Sequence, residues 1–490
     1  MTRALIARVA PALLVVVLTT TCSGGGPPQS SPVPTGEPTS TASPPAAPTA
    51  IDLAGVDPLL TIFAAREGDF VAGVSPLAAG DFNGDGIADL LIGVPFADGP
   101  GNGRKDAGEA LVIFGRDGLS GEIDLAVDEP GLRILGALPG DTLGFGVAAG
   151  DINGDGVDDV IVGAPGSNGA GNQRTDVGET YVVFGGSDLT GTVDVAVLEQ
   201  DFTFVAAEGF ARLGVSFDVA DVNGDGIDDL VAGAPFAGRE PGSPAGGPRT
   251  TVGEVYVVFG SIDLSGTVSV ALDQQGLILA GSKELDAFGE AVAASDVNGD
   301  AVADIIVGAS GFDGPDGGRA DAGAAFVYFG SSHLAGRLGV EDADRTFLGA
   351  DTDDRMGEEV DAGDVDGDGV ADMVVVAKGG DGPGNGRRNS GEAYAFFGDA
   401  APAADLDLAA DEAGAVIQGP SSSSLLGTAL AVSDLDGDGR DDVVLGAALA
   451  SSGERTHNGM VYVILADALS GPLDLSTAGQ LIVYGAINAA

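Results

Sequence analysis

The sequence predicts an all-β fold, a β-propeller of small four-stranded antiparallel sheets set radially around an axis. Three observations carry the expectation. An acidic nine-residue phrase, Asp151-Ile152-Asn153-Gly154-Asp155-Gly156-Val157-Asp158-Asp159 in its second copy, occurs six times and starts at 81, 151, 221, 296, 364 and 434. Its spacing of 68 to 75 residues exceeds the ~20–45 residues of common solenoid units, which leaves a solenoid as runner-up. Each phrase leads into an apolar run such as Val160-Ile161-Val162-Gly163-Ala164-Pro165, and the chain has 82 Gly and no Trp in 490 residues. That composition suits short strands and tight turns. Radial packing covers both faces of each sheet and protects its edges.

In the second repeat the pattern predicts strands at 144–149, 160–164, 180–184 and 192–197, with a further extended piece at 202–206. Six complete repeats give six blades, and a remnant at 473–485 echoes the outer part of a unit and closes the ring. Seven blades are the alternative.

The phrase itself is a cation loop. Oxygen side chains at positions 1, 3, 5 and 9 and the backbone carbonyl of position 7 converge on one centre, and Gly at position 6 permits the sharp turn. The ligand sets are Asp81, Asn83, Asp85, Ile87 and Asp89; Asp151, Asn153, Asp155, Val157 and Asp159; Asp221, Asn223, Asp225, Ile227 and Asp229. They continue with Asp296, Asn298, Asp300, Val302 and Asp304; Asp364, Asp366, Asp368, Val370 and Asp372; Asp434, Asp436, Asp438, Arg440 and Asp442. Crowded oxygens with a flexible geometry suit calcium, up to six ions in all. An EF-hand is excluded, because position 12 is Ile92, Val162, Ala232, Val307, Val375 or Leu445 rather than Glu, and strands follow in place of helices. In the fourth loop Ala301 replaces the turn glycine, which predicts a weaker site.

Net charge is −53, which argues against nucleic-acid binding. The single cysteine, Cys22, rules out disulfides within the chain and thiolate metal centres. Residues 1–21 read as a signal peptide: Arg3 and Arg8, then the apolar run Val9 to Leu18, about half of what spans a bilayer. Cys22 directly after it resembles the lipidated first residue of a bacterial lipoprotein, although Thr19 stands where such signals place Leu. Residues 22–50 form an anchor and a Ser/Thr/Pro/Gly tether, and 51–490 form the propeller. The expected location is the cell envelope, lipid-anchored, or secreted if no lipid is added.

Strand alternation puts the loops between second and third strands on the end opposite the cation loops. Each carries an arginine: Arg104, Arg174, Arg239, Arg319, Arg387 and Arg455. One reading is a site for a carboxylate or sulfate on a polysaccharide or protein partner. The other is pairing within each loop, to Asp106, Asp176, Asp321 or Glu392.

Leu143-Gly144-Phe145-Gly146-Val147, the Asp151 loop, Val162-Gly163-Ala164-Pro165 and Gly178 to Gly185 together resemble the FG-GAP repeat of integrin α-subunit heads. The order returns at Leu213-Gly214-Val215 with Ala232 to Pro235, and at Phe288-Gly289-Glu290 with Val307 to Ser310. The resemblance covers nearly all of 51–490. It implies a propeller with calcium in the hairpin between the first and second strands of a blade, and ligand contact on the other face. Integrin heads have seven repeats, one more than the complete ones here, and nothing corresponds to their legs or membrane helix.

No Gly-x-Ser-x-Gly, Walker A or His-Glu-x-x-His pattern occurs, so the expected role is adhesion or ligand binding rather than catalysis. A calcium-dependent polysaccharide-cleaving enzyme and a purely structural envelope protein are the competing readings. The expected partner is a protein or anionic polysaccharide, with the membrane touched only through a lipid.

Overall fold

The computed structural model describes residues 77–484 except 117–118, 120, 126–127, 170–174, 207–209, 239–250, 270–275, 315–316, 399–404, 411–412, 452–458, 470 and 477–480. It also describes the strand segments Leu5–Ile6, Val15–Leu18, Ala50–Asp52 and Leu60–Phe63. The protein is an all-β, six-bladed propeller. In the second blade Val147–Gly150, Asp159–Ala164, Glu179–Val183 and Phe202–Val205 run antiparallel in chain order. The other blades repeat this order, with first strands Leu77–Gly80, Phe217–Ala220, Val292–Ser295, Met356–Gly363 and Leu426–Ser433. The second strand of every blade is buried along its whole length. Facing sheets cover both of its sides, which is why it reads as a continuous apolar run instead of an alternating one.

One expectation about the blade is corrected. The segment expected at 192–197 is not a strand of its own blade. Gly191–Asp194 runs parallel to Leu132–Leu135 of the preceding blade, and Val195–Val197 is a 3-10 turn capped by Asp194. The fourth strand is Phe202–Val205. The loan recurs: Gly266–Ser269 joins Phe202–Val205, Gly336–Gly339 joins Leu277–Ala280, Leu406–Asp407 joins Arg345–Leu348, and Leu473–Asp474 joins Ala415–Gln418. The remnant at 473–485 thereby divides in two. Its first part is lent to the fifth blade, and Leu481–Tyr484 is the fourth strand of the sixth, with Ala50–Asp52 parallel beside it.

Blade meets blade through glycine. An added β-carbon on Gly93, Gly163, Gly233 or Gly308 would sit 1.9–2.2 Å from the carbonyl oxygen of Gly144, Gly214, Gly289 or Gly357 in the next blade. The glycine of each Gly-Ala-Pro-like motif is thus the seat of the next blade's Phe-Gly-like turn. In the fifth blade Val376 stands at the seat, and the turn glycine opposite it, Gly427, has room for no β-carbon, which would lie 2.1 Å from Val376 Cγ1.

Candidate metal centre and ligand face

In each blade the acidic loop connects the first and second strands, as expected. In the second loop Asp151 Oδ1 accepts from the amides of Gly154 (2.7 Å) and Asp155 (3.0 Å), and Oδ2 from Gly156 (2.7 Å). Asp155 Oδ1 accepts from Val157 N at 3.0 Å. Asp159 is fully buried, and it accepts from Ile152 N (3.1 Å), Gly185 N (2.9 Å) and Asn153 Nδ2 (3.1 Å). Positions 1, 3, 5 and 9 are therefore pinned by backbone amides around one centre. The fourth loop keeps this shape despite Ala301, whose amide still reaches Asp296 Oδ2 at 2.8 Å with φ at +72°. A β-carbon in that left-handed conformation costs roughly 1–2 kcal/mol.

The donor set fits a hard cation. Carboxylate oxygens of Asp364, Asp366 and Asp372, and of Asp434, Asp436 and Asp442, lie within 4.8 Å of one another. The other four loops have Asn at position 3. Burial pushes the position-9 carboxyls up, to about 7 for Asp159, Asp229 and Asp304 and about 6 for Asp89 and Asp372. A cation among them would stabilise the ionised form. In the sixth loop Arg440 pairs with the ligand-position Asp438 at 2.8 Å and with Asp467 at 2.6 Å, so a cation there competes with a guanidinium.

The loops are knitted to one another. The position-8 amide donates to the position-1 carbonyl of the preceding loop at five successive junctions: Asp158 to Asp81, Asp228 to Asp151, Ala303 to Asp221, Ala371 to Asp296, and Asp441 to Asp364 (2.7–3.3 Å). At three of them the position-8 carboxylate also accepts from the position-1 amide: Asp158 from Asp81, Asp228 from Asp151, and Asp441 from Asp364.

At the opposite end the arginines do something neither sequence reading foresaw. Arg104 forms a bidentate pair with Asp194 (2.7 and 2.6 Å) and also donates to Gly136 O. Arg319 does the same with Asp407 and Gly349 O, and Arg387 with Asp474 and Gly419 O. Each aspartate ends the strand lent by the following repeat, so the arginine clamps that strand to its host blade. Among the described residues these three arginines do not pair within their loops: Asp106 faces Lys105, and Asp321 and Glu392 are not paired with Arg319 or Arg387. Arg174, Arg239 and Arg455 lie outside the described residues. Chain position could not reveal partners almost ninety residues away; the parallel loan had to be seen first. Arg104 holds the Asp194 carboxyl below its usual range through that hydrogen bond, and Arg319 does so for Asp407. Arg104→Ala should cost about 1–2 kcal/mol of stability. That contribution is present above the ordinary aspartate pKa and fades as pH falls through the depressed one. Urea unfolding at pH 7 and pH 3 checks it.

Sequence reasoning also missed the buried acids. At the end opposite the loops, Asp141, Asp286 and Asp354 are buried, and burial raises them to about 6, 6 and 7. Glu179 accepts from Ser167 and Tyr181, and Glu392 from Tyr394. The axis holds a cavity of ≈ 290 Å³ walled by Leu77, Val147, Phe217, Val292, Val360 and Leu430, with Asp218, Glu290, Glu358 and Lys378 among its lining. They were readable as repeat positions but not as buried ones: Asp141, Asp286 and Asp354 are equivalent to one another, with Ala211 and Ser424 in the third and sixth blades, and Glu179 and Glu392 are equivalent to Glu109 and Glu254.

A radial array of small sheets, each with an acidic loop in its first hairpin, defines the class. The chain is built of FG-GAP repeats: that family's model matches residues 73–113, 143–183, 213–258, 288–328 and 426–464. The fifth blade folds alike without a match; Met356-Gly357 and Ala377-Lys378-Gly379 stand in its motif positions. Integrin alpha pat-2 of Caenorhabditis elegans is 30% identical over 244 residues, 48% of this chain and 18% of that protein. Phosphatidylinositol-glycan-specific phospholipase D of Bos taurus is 37% identical over 177 residues, 35% of this chain and 19% of that protein. The chain thus spans about a fifth of these relatives. Among solved structures the V. cholerae biofilm matrix protein Bap1 aligns over 76% of this chain and 45% of its own, with 15% identity and a TM-score of 0.32.

Proposed function

We propose that the protein is a calcium-stabilised propeller exported to the cell envelope, anchored through a lipid on Cys22, which binds a partner with the end opposite its acidic loops. The supporting observation is the division of labour between the two ends. One end is a hydrogen-bonded series of six acidic loops, suited to bracing. The other exposes Phe96, Leu138, Phe236, Leu285 and Leu449, each 37–68% accessible, against Ile87 and Ile262 at the acidic-loop end. Exposed apolar side chains gathered at one end mark contact surfaces. The described arginines are engaged in clamps, which favours an apolar protein contact over capture of an anionic polysaccharide. Integrin relatives suit this reading. The phospholipase D relatives keep an enzyme as the competing one, but no catalytic constellation supports it among the described residues.

Phe236→Asp combined with Leu285→Asp should abolish retention on an envelope fraction and leave the melting temperature within about 1 °C. Ile262→Asp at the calcium end should change neither. Retention equal in all three proteins would reject the assigned face. Mass spectrometry of the N-terminus reports on the anchor, since an unmodified first residue beyond Cys22 excludes it.

A further inference from the structure

The six blades leave one sector of the ring to another sheet. First strands of consecutive blades pack side by side from the first to the sixth, but those of the sixth and first make no comparable contact. The loop-to-loop hydrogen bond found at the other five junctions is absent there among the described residues. Among the described residues Gly446, the sixth blade's equivalent of Gly163, meets its own blade, at Thr428 and Ala429. The remaining sheet is ordered Leu5–Ile6, Val15–Leu18, Leu60–Phe63, Gly121–Asp124. Leu60–Phe63 pairs parallel with Gly121–Asp124, from Leu60 opposite Gly121 to Phe63 opposite Asp124. Leu132–Leu135 pairs with Gly191–Asp194 in the same register, so Leu60–Phe63 is the fourth strand of a seventh unit. In every blade the third strand lies antiparallel along the inner edge of the fourth. Here Val15–Leu18 takes that position, with Val15 opposite Ile62 and Val16 opposite Thr61. It belongs to the apolar centre of the export leader.

We propose that in the processed chain, beginning at Cys22, the inner edge of Leu60–Phe63 is a strand-acceptor site that takes an antiparallel apolar strand from a partner protein, completing a seventh blade in trans. The inference rests on the export reading, because loss of residues 1–21 vacates the position. An edge strand presents unpaired amides and carbonyls that template such an addition. The strand paired there is an unbroken apolar run in the sequence, Val15-Val16-Val17-Leu18. Residues 23–49 are poor substitutes, since their eight prolines interrupt the ladder. A second copy of the chain is disfavoured by a net charge of −53 on each.

The test uses the exported, processed protein, its first residue fixed by mass spectrometry, beside the unexported full chain. The probe is a labelled peptide of residues 9–18 with C-terminal lysines for solubility. The processed protein should bind it one to one, with at least tenfold slower amide exchange at residues 60–63. The full chain should bind at least tenfold more weakly, its own strand being in place, and a Val16→Pro peptide should lose binding. Equal binding by both proteins, no binding by the processed one, or indifference to the proline overturns the proposal. So does concentration-dependent protection of 60–63 without peptide, which would make a second copy the occupant. Failure to recover an exported protein that begins at Cys22 refutes the reading of residues 1–21 as a removed leader, whereas a processed protein that ignores the peptide refutes only the acceptor site.

Discussion

Chelation at pH 8 should lower the melting temperature by on the order of 10 °C, and calcium should restore it. At 10 mM calcium, a site of ~10⁻³ M contributes ~1.4 kcal/mol by mass action, about 8 kcal/mol over six loops. A propeller of this size has an unfolding entropy near 0.9 kcal/mol/K, from ~2.1 cal/mol/K per residue, which gives the shift. The pH dependence has a definite sign. In the metal-free protein burial raises Asp159, Asp229 and Asp304 from 3.8 to about 7. A carboxyl whose folded pKa lies above its unfolded one stabilises fully below the unfolded value, and that stability is lost as pH rises through about 7. Chelated protein should therefore melt progressively lower between pH 5 and pH 8. Calcium, which prefers the ionised loop, should flatten this fall, so the calcium-induced shift grows with pH. Scanning calorimetry with EDTA or calcium at pH 5.5 and 8 measures it. Coincident curves at pH 8 would remove calcium from the account of stability.

Gly308→Ala should be among the most damaging single substitutions, at about 3 kcal/mol or more, because its β-carbon would sit 2.1 Å from the backbone carbonyl of Gly357. Neither side can yield without parting two blades. Gly446→Ala, the equivalent change in the sixth blade, finds nothing nearer than 3.2 Å, the Thr428 hydroxyl of its own sheet, and should fall within about 1 kcal/mol of the parent. Denaturant unfolding of the two variants makes the comparison. Equal losses would mean that the sixth blade has a packed neighbour at that seat after all.

Much of this was legible in the sequence because the chain says it six times. The acidic phrase fixed the hairpin between first and second strands, and the apolar run after it fixed the buried strand, since both signals are local. What escaped was non-local. Gly191–Asp194 reads as a strand but carries no mark of the blade it joins, because the parallel pairing is with residues sixty positions earlier. Once that strand is misassigned, Asp194 cannot be found as the partner of Arg104, and the arginine appears either idle or tied to its own loop. The seat glycines were visible as motif letters, but their purpose depends on the neighbour's carbonyl. Asp141 recurs as Asp286 and Asp354, and Glu290 as Glu358, but an acid shared by two or three repeats carries no sign of what packing will surround it.

The lent strands also set a schedule. Each of the first five blades receives its fifth strand from residues about sixty positions after its fourth. On a ribosome making ~5–20 residues per second, that outer edge stays open for ~3–12 s. A chain threading out N-terminus first therefore always trails one unfinished sheet, a moving site for chaperones or for faulty pairing. The sixth blade reverses the order: Ala50–Asp52 emerges before any other part of the propeller and waits for a host that arrives last.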